Sequence, residues 1–248
     1  MLRSLKSILR FDVKATDGDA GQILDFFFDD DTWKVRYGVI TAGTWPFGRK
    51  VLLSPISFRQ IDLDQQAISI SLSKEKVKNG PDIDTDMPVV PRQRMLLHGY
   101  YGWSAFLAGG SIPAPFVPAP IPEAEKAELD VMTEKADPHL RSAKEVIGYH
   151  LHASDGEIGH IDDFILDDEP WAITYLVVDT RNWLPGRKVL VSPHWAKEIL
   201  WNLRRVTVDH VRESVRSSPA YDPTLPTNKE YEAWLHDHPG RMNVALHP

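Results

Sequence analysis

GRKVLLSP occupies residues 48–55, and GRKVLVSP occupies residues 186–193. The phrase recurs at a spacing of 138, and the match runs on without a gap when the chain is shifted by that amount. Leu2-Arg3-Ser4 meets Leu140-Arg141-Ser142, and Asp17-Gly18 meets Asp155-Gly156. Gly21, Asp25 and Phe26 meet Gly159, Asp163 and Phe164; Trp33, Tyr37 and Trp45 meet Trp171, Tyr175 and Trp183. Over 12–55 against 150–193, 20 of 44 positions are identical, where composition alone gives about 6%. The chain is a duplication, so the fold is one unit's problem solved twice.

Within a copy the pattern is that of strands. VKATDGDAGQILDFFFDDD places Asp-Gly between two extended runs, the strongest short hairpin signal. Gly21 and Gly159 read as bulge or sharp-bend positions in the strand that follows. In WKVRYGVIT, Trp33, Val35, Tyr37 and Val39 alternate against Lys34, Arg36 and Gly38, the mark of a half-buried strand. WAITYLVVD repeats it with more apolar residues. KVLL and KVLV are short strands closed by Ser-Pro, and AISISL and VTV are the last strands. KEKVKN and RESVRS each predict a helical turn. Several short strands in about 70 residues fit a small closed β-barrel.

Each copy carries a tail. PRQRMLLHGYYGW and NKEYEAWLHDHPG predict short helices. Between the copies, SIPAPFVPAPIPEAEKAELDVMTEKADPH is too rich in proline for regular structure at its start and reads as an extended linker. The expected organisation is a first barrel with its tail helix over 1–110, a Pro-rich and acidic linker over 111–138, and a second barrel with its tail over 139–248. The fold class is all-β.

The totals bound the chemistry. The 248 residues are 42% hydrophobic and 25% charged, ordinary globular values. There is no cysteine, which excludes disulfides, thiol catalysis and cysteine-held metal clusters. The net charge is −7: residues 1–110 contribute +1 (14 basic, 13 acidic) and the remainder −8 (14 basic, 22 acidic). Neither part supplies the basic field that a phosphate backbone requires, so nucleic acid is disfavoured as a partner. No run approaches the ~20 apolar residues of a membrane span, and the first residues lack the apolar run of a signal peptide. The expected location is the cytoplasm.

The order DGxxG, DD, W, Y, W, GRKVL, SP, with LRS ahead of it, resembles the PRC-barrel family over roughly 2–81 and again over 140–219. Members form the cytoplasmic end of the photosynthetic reaction-centre H subunit and the C-terminal part of a ribosome-maturation protein. The resemblance implies a six-stranded barrel, a role in docking or assembly, and no catalytic set. The H subunit's membrane helix has no counterpart here, and a second barrel stands where the ribosome-maturation protein has another domain.

Candidate sites follow from the copies. Trp45 and Trp183 each lie beside proline ahead of GRKVL. They read either as interface hot spots or as covers for the open end of a barrel. Arg49 with Lys50, and Arg187 with Lys188, are basic pairs beside a glycine, expected to form salt bridges with Asp25 and Asp163. The Asp clusters DDDT and DDEP read as turn chemistry rather than calcium sites. His150, His152 and His160 could hold zinc together. Their counterparts are Asp12, Lys14 and Gln22, so they read as ordinary solvent positions. Ser54 and Ser192 precede proline outside any nucleophile elbow. No cofactor, metal or catalytic residue is expected. The expected function is docking or assembly of a partner protein, possibly at a membrane or electron-transfer complex, with the barrels packed on each other as a pseudo-dimer. The alternative is an enzyme or small-ligand carrier using a cleft between the barrels.

Overall fold

The computed structural model describes residues 1–42, 48–81, 91–103, 139–180, 187–216, 218 and 220–222. In chain order the strands are β1 (Leu2–Ser4), β2 (Asp12–Ala15), β3 (Gly18–Asp29), β4 (Val35–Ala42), β5 (Arg49–Leu53), β6 (Phe58–Asp62) and β7 (Ala67–Ile70). They continue with β8 (Leu140–Ser142), β9 (His150–Ala153), β10 (Gly156–Asp167), β11 (Ala172–Asp179), β12 (Lys188–Val191), β13 (Ala196–Leu200) and β14 (Arg205–Val208). Helices among the described residues are short, the longest being Pro91–Tyr101. The protein is mostly β, with two seven-stranded sheets.

The chain forms two compact units. The first comprises Met1–Leu9, Phe28–Val35 and Arg141–Pro248; the second comprises Arg10–Phe27 and Arg36–Leu140. The units thus interleave the two copies at residues 1–9 and 28–35.

In the first unit the sheet order is β12-β11-β10-β9-β14-β13, with β1 added to β10. All its neighbours are antiparallel except β14 with β9, which are parallel. The β9–β10 hairpin turns at Ser154-Asp155, and Gly156 takes φ 141°, a backbone that a side chain would resist. Asp155 Oδ1 also accepts the backbone N–H of Arg212 at 2.8 Å, fixing the start of the helical turn Arg212–Arg216. The hairpin bulges between Glu157 and Gly159, as expected from the glycine. A Cβ on Gly159 would sit 2.0 Å from the Asp179 carbonyl oxygen, so only glycine lets β10 approach β11 there. Leu2, Ile165, Val177 and Leu190 form one buried cluster, with Tyr175 and Tyr221 packed against it.

The second unit repeats this plan. Its sheet order is β5-β4-β3-β2-β7-β6. Again one neighbour pair is parallel, β2 with β7. Gly18 takes φ 129°, and a Cβ on Gly21 would lie 1.5 Å from the Thr41 carbonyl oxygen. Asp17 accepts the N–H of Lys74 at 2.7 Å and so starts the helical turn Lys74–Lys78. Ile23, Phe26, Ile40, Leu52, Leu53 and Ile68 are fully buried. The first tail is helical over Pro91–Tyr101, as expected; the second tail and the linker 111–138 lie outside the described residues. Tyr101 and Trp103 stack at 4.4 Å, and Trp103 donates to Ser57 Oγ at 3.0 Å.

Two local expectations need correction. Trp33 and Trp171 are not strand residues: both precede their strands with φ of 56° and 51°, in the left-handed region. β4 alternates only at its start; from Gly38 to Ala42 both faces are buried. The DDDT cluster does make a turn, with Asp29 Oδ1 accepting the Thr32 N–H and hydroxyl at 2.8 Å, while Asp25 and Asp163 lie inside β3 and β10 and are buried.

Candidate functional site

The residues singled out by the duplication fall into three groups. Trp45 and Trp183 lie outside the described residues. Arg49 and Arg187 are structural clamps. Arg187 donates to the Ser218 carbonyl at 3.2 Å, and Arg49 donates to the Gly80 carbonyl, the same position one copy earlier. Each clamp ties the chain after a helical turn back to the start of β5 or β12. The basic pair in the second copy also engages a different carboxylate from the one expected. Lys188 Nζ meets Asp162 at 2.8 Å, not Asp163. Asp163 is buried and occupied by the Ser4 hydroxyl and the N–H groups of Lys6 and Phe164, whereas Asp162 lies at the register shift between Ile161 and Asp163 and is partly exposed. Lys50 is exposed on β5.

His160 lies opposite His150 across the hairpin, but the three histidines do not form a ligand group among the described residues. His150 is exposed and meets Glu157 at 2.9 Å. Burial and the nearby Arg205 hold His152 below its ordinary value, with Glu157 opposing them. His160 instead groups with Asp162 and Asp179, the ligand atoms lying within 4.8 Å of one another. Imidazole with two carboxylates is a donor set that suits a divalent ion. Yet Lys6 takes one Asp162 oxygen at 3.1 Å and Lys188 takes the other at 2.8 Å. Burial alone would raise the Asp162 carboxyl, but these two ammonium groups hold it below the usual range. The arrangement in hand is a charge network in which lysines fill the cation's role.

The densest recognition in the first unit is at its first nine residues. β1 lies antiparallel on β10, with Leu2 opposite Asp167 and Ser4 opposite Ile165. Leu2 enters the pocket of Ile165, Val177 and Leu190. Arg3 Nε donates to Asp168 Oδ2. Asp163, 4% exposed, accepts the Ser4 hydroxyl at 2.5 Å and the Lys6 N–H at 3.0 Å, besides the N–H of Phe164 at 2.7 Å. Ser4 also caps the turn Leu5–Ile8 by accepting from Ser7 N, and Leu5 and Ile8 are fully buried. Burial raises the Asp163 carboxyl above the usual range, against the pull of Ser4, Lys6 and Phe164. At Asp168 burial also pushes upward, but the Met1 ammonium and Arg3 overcome it and the carboxyl is lowered.

These contacts have partners at the offset of 138. Arg3 meets Asp168, and Arg141 meets Asp30 at 2.5 Å. Val35 N–H donates to the Trp171 carbonyl at 2.7 Å, and Ile173 N–H donates to the Trp33 carbonyl at 2.7 Å. All eight residues belong to the first unit. Residue i meets j, and the counterpart of j meets the counterpart of i, which is the rule of a self-complementary, two-fold contact. The sequence held this signal in the twice-written LRS and DD. Nothing in their periodicity says that the arginine of one copy reaches the aspartate of the other.

No protein-family model matches the chain, and no curated protein matches it.

Proposed function

We propose that the chain is a non-enzymatic tandem PRC-barrel protein that docks or assembles a partner protein, with its two copies closed as barrels and paired with each other. The reading rests on the residue order shared with that family. The observation that carries it is the reciprocal set Arg3–Asp168 and Arg141–Asp30 with the paired Trp33–Ile173 and Val35–Trp171 hydrogen bonds. The groups in this set meet polypeptide, not a small substrate: two carboxylates meet two arginines, and two backbone N–H groups meet two backbone carbonyls. Arg187 and Lys188, expected to form salt bridges, support the reading by being engaged in holding the fold. The partner is a protein, and a site at a membrane or electron-transfer complex is the setting the family resemblance suggests. Trp45 and Trp183 are the residues proposed to contact that partner, with Lys50 beside the first.

The test is capture from the native cell with the whole chain as bait, wild type against a Trp45→Ala, Trp183→Ala double variant. The reading expects a defined protein retained by the wild type and lost with the double variant. A defined protein retained equally by both contradicts the tryptophan assignment. Turnover of a small molecule by the purified chain contradicts the non-enzymatic reading.

A further inference from the structure

We infer that the turn between β13 and β14, residues 200–205, is a membrane-contact site that lays two leucines, Trp201 and two arginines on an anionic lipid surface. The inference goes beyond the docking reading above, which concerns a protein partner and other residues.

The duplication supplies an internal control. Residues 62–67, DLDQQA, make in the other unit the turn that residues 200–205, LWNLRR, make here. The backbones agree. Gln66 takes φ 48° and Arg204 takes φ 45°, and each donates its N–H to the carbonyl three residues back, that of Leu63 or Trp201. The fold therefore asks nothing of this turn that DLDQQA does not provide. In the first copy Asp62 even caps it, its Oδ1 accepting the Gln65 N–H at 2.9 Å. Leu200, at the matching position, gives that hydrogen bond up. Over 58–70 one cation faces two acids, Arg59 against Asp62 and Asp64. Over 196–208 three cations face one acid, Lys197, Arg204 and Arg205 against Glu198. This basic turn lies in the part of the chain whose balance is −8.

Its side chains are presented rather than used by the fold. Leu203 is 53% exposed, Arg204 is exposed, and Leu200, Trp201 and Arg205 are half-buried. The other described arginines of this unit are engaged: Arg3 with Asp168, Arg141 with Asp30, Arg187 with the Ser218 carbonyl, Arg212 with Asp155 and Arg216 with Glu213. Among the described residues the guanidinium groups of Arg204 and Arg205 have no salt-bridge partner. Trp201 is held in place. The Arg141 guanidinium lies 4.3 Å from its ring centre, and the Tyr149 ring meets it edge-on at 5.9 Å.

An indole flanked by leucine and arginine suits a bilayer interface. The ring sits at headgroup level, leucine enters the acyl boundary, and guanidinium groups meet lipid phosphate. One turn presents too little surface for a specific protein interface, which buries at least about 1,200 Å². A charged leaflet needs only a few such residues, each arginine near it contributing about fivefold in affinity. The chain's overall charge of −7 does not cancel this, because at physiological salt charges beyond about 8 Å are screened.

The test is sedimentation of the full chain with vesicles, either of phosphatidylcholine alone or of phosphatidylcholine and phosphatidylserine in equal parts. A variant carries the first copy's residues: Leu200→Asp, Leu203→Gln, Arg204→Gln and Arg205→Ala. Circular dichroism checks its fold. The wild type is expected to sediment with the phosphatidylserine vesicles and not with phosphatidylcholine alone, and to be released at about 1 M salt. The variant is expected to bind at least about tenfold more weakly. If the variant is unfolded, Arg204→Gln with Arg205→Gln takes its place with the same expectation. A wild type that stays in solution or binds both vesicles equally overturns the inference, as does a folded variant that binds like the wild type. A cellular protein retained by the wild type and lost with this variant, without vesicle binding, also overturns it in favour of protein docking at the turn. The tryptophan double variant leaves residues 200–205 intact, so the capture experiment above succeeds or fails independently.

Discussion

Asp163 and Asp168 are five residues apart on the same side of the story, yet their carboxyls move in opposite directions. Asp163 is buried among neutral donors, and burial wins. Asp168 faces Arg3 and the Met1 ammonium, and charge wins. A carboxyl whose folded value is depressed contributes stability that is complete above the unfolded value of 3.8 and is lost as pH falls through the folded value. Arg3→Met is therefore expected to cost about 1–2 kcal/mol near neutral pH. In urea titrations followed by tryptophan fluorescence, that penalty should shrink once the pH drops below 3.8. A penalty that stays constant down to about pH 2.5 contradicts the assignment. At the neighbouring network, the two lysines on Asp162 lead to a further expectation. Calorimetric titration with zinc should find no submicromolar site, because an ion must displace two ammonium groups first. Tight zinc binding that disappears with His160→Ala contradicts it.

At the scale of elements, the sequence was most legible where backbone chemistry is local. The Asp-Gly hairpins, the bulges at the following glycines, and the helical turns at KEKVKN and RESVRS all appear where the residues place them. The length of β4's buried face was not legible, because burial on the second face depends on what another segment brings against it. Gly38 illustrates this: an added Cβ would meet the Phe58 ring at 2.7 Å. The role of Asp17 and Asp155 as caps for distant helical turns was likewise hidden, since capping residues are sought next to a helix and these lie 57 residues away. The glycines offer a paired test. Gly159→Ala should destabilise by more than about 3 kcal/mol, since its Cβ would meet backbone at 2.0 Å. Gly99→Ala, in the helix Pro91–Tyr101 with nothing within 4 Å, should be neutral or stabilising by up to about 1 kcal/mol. Equal thermal shifts for the two, read by calorimetry, would contradict the close approach of β10 to β11.

For the whole molecule, the duplication announced two similar folds, and the two sheets do share one strand order. What the repeat could not announce is the interleaving of residues 1–9 and 28–35 with 141–248. Identical copies look independent in a sequence; a contact between unlike copies leaves no periodic trace. The same limit applied to the candidate site: Leu2, Arg3, Ser4 and Asp163 were as visibly repeated as Arg187 and Lys188, but the repeat did not say that the first three meet the fourth and its neighbours. The proposed pairing of the copies has one direct measurement. Fragments 1–110 and 139–248 are expressed separately, checked for folding by circular dichroism, mixed, and examined by sedimentation equilibrium. The account predicts a 1:1 complex with a dissociation constant below about 10 micromolar, weakened at least tenfold when Arg3→Asp is carried by the first fragment. Two folded fragments that remain apart at concentrations of several tens of micromolar would contradict it.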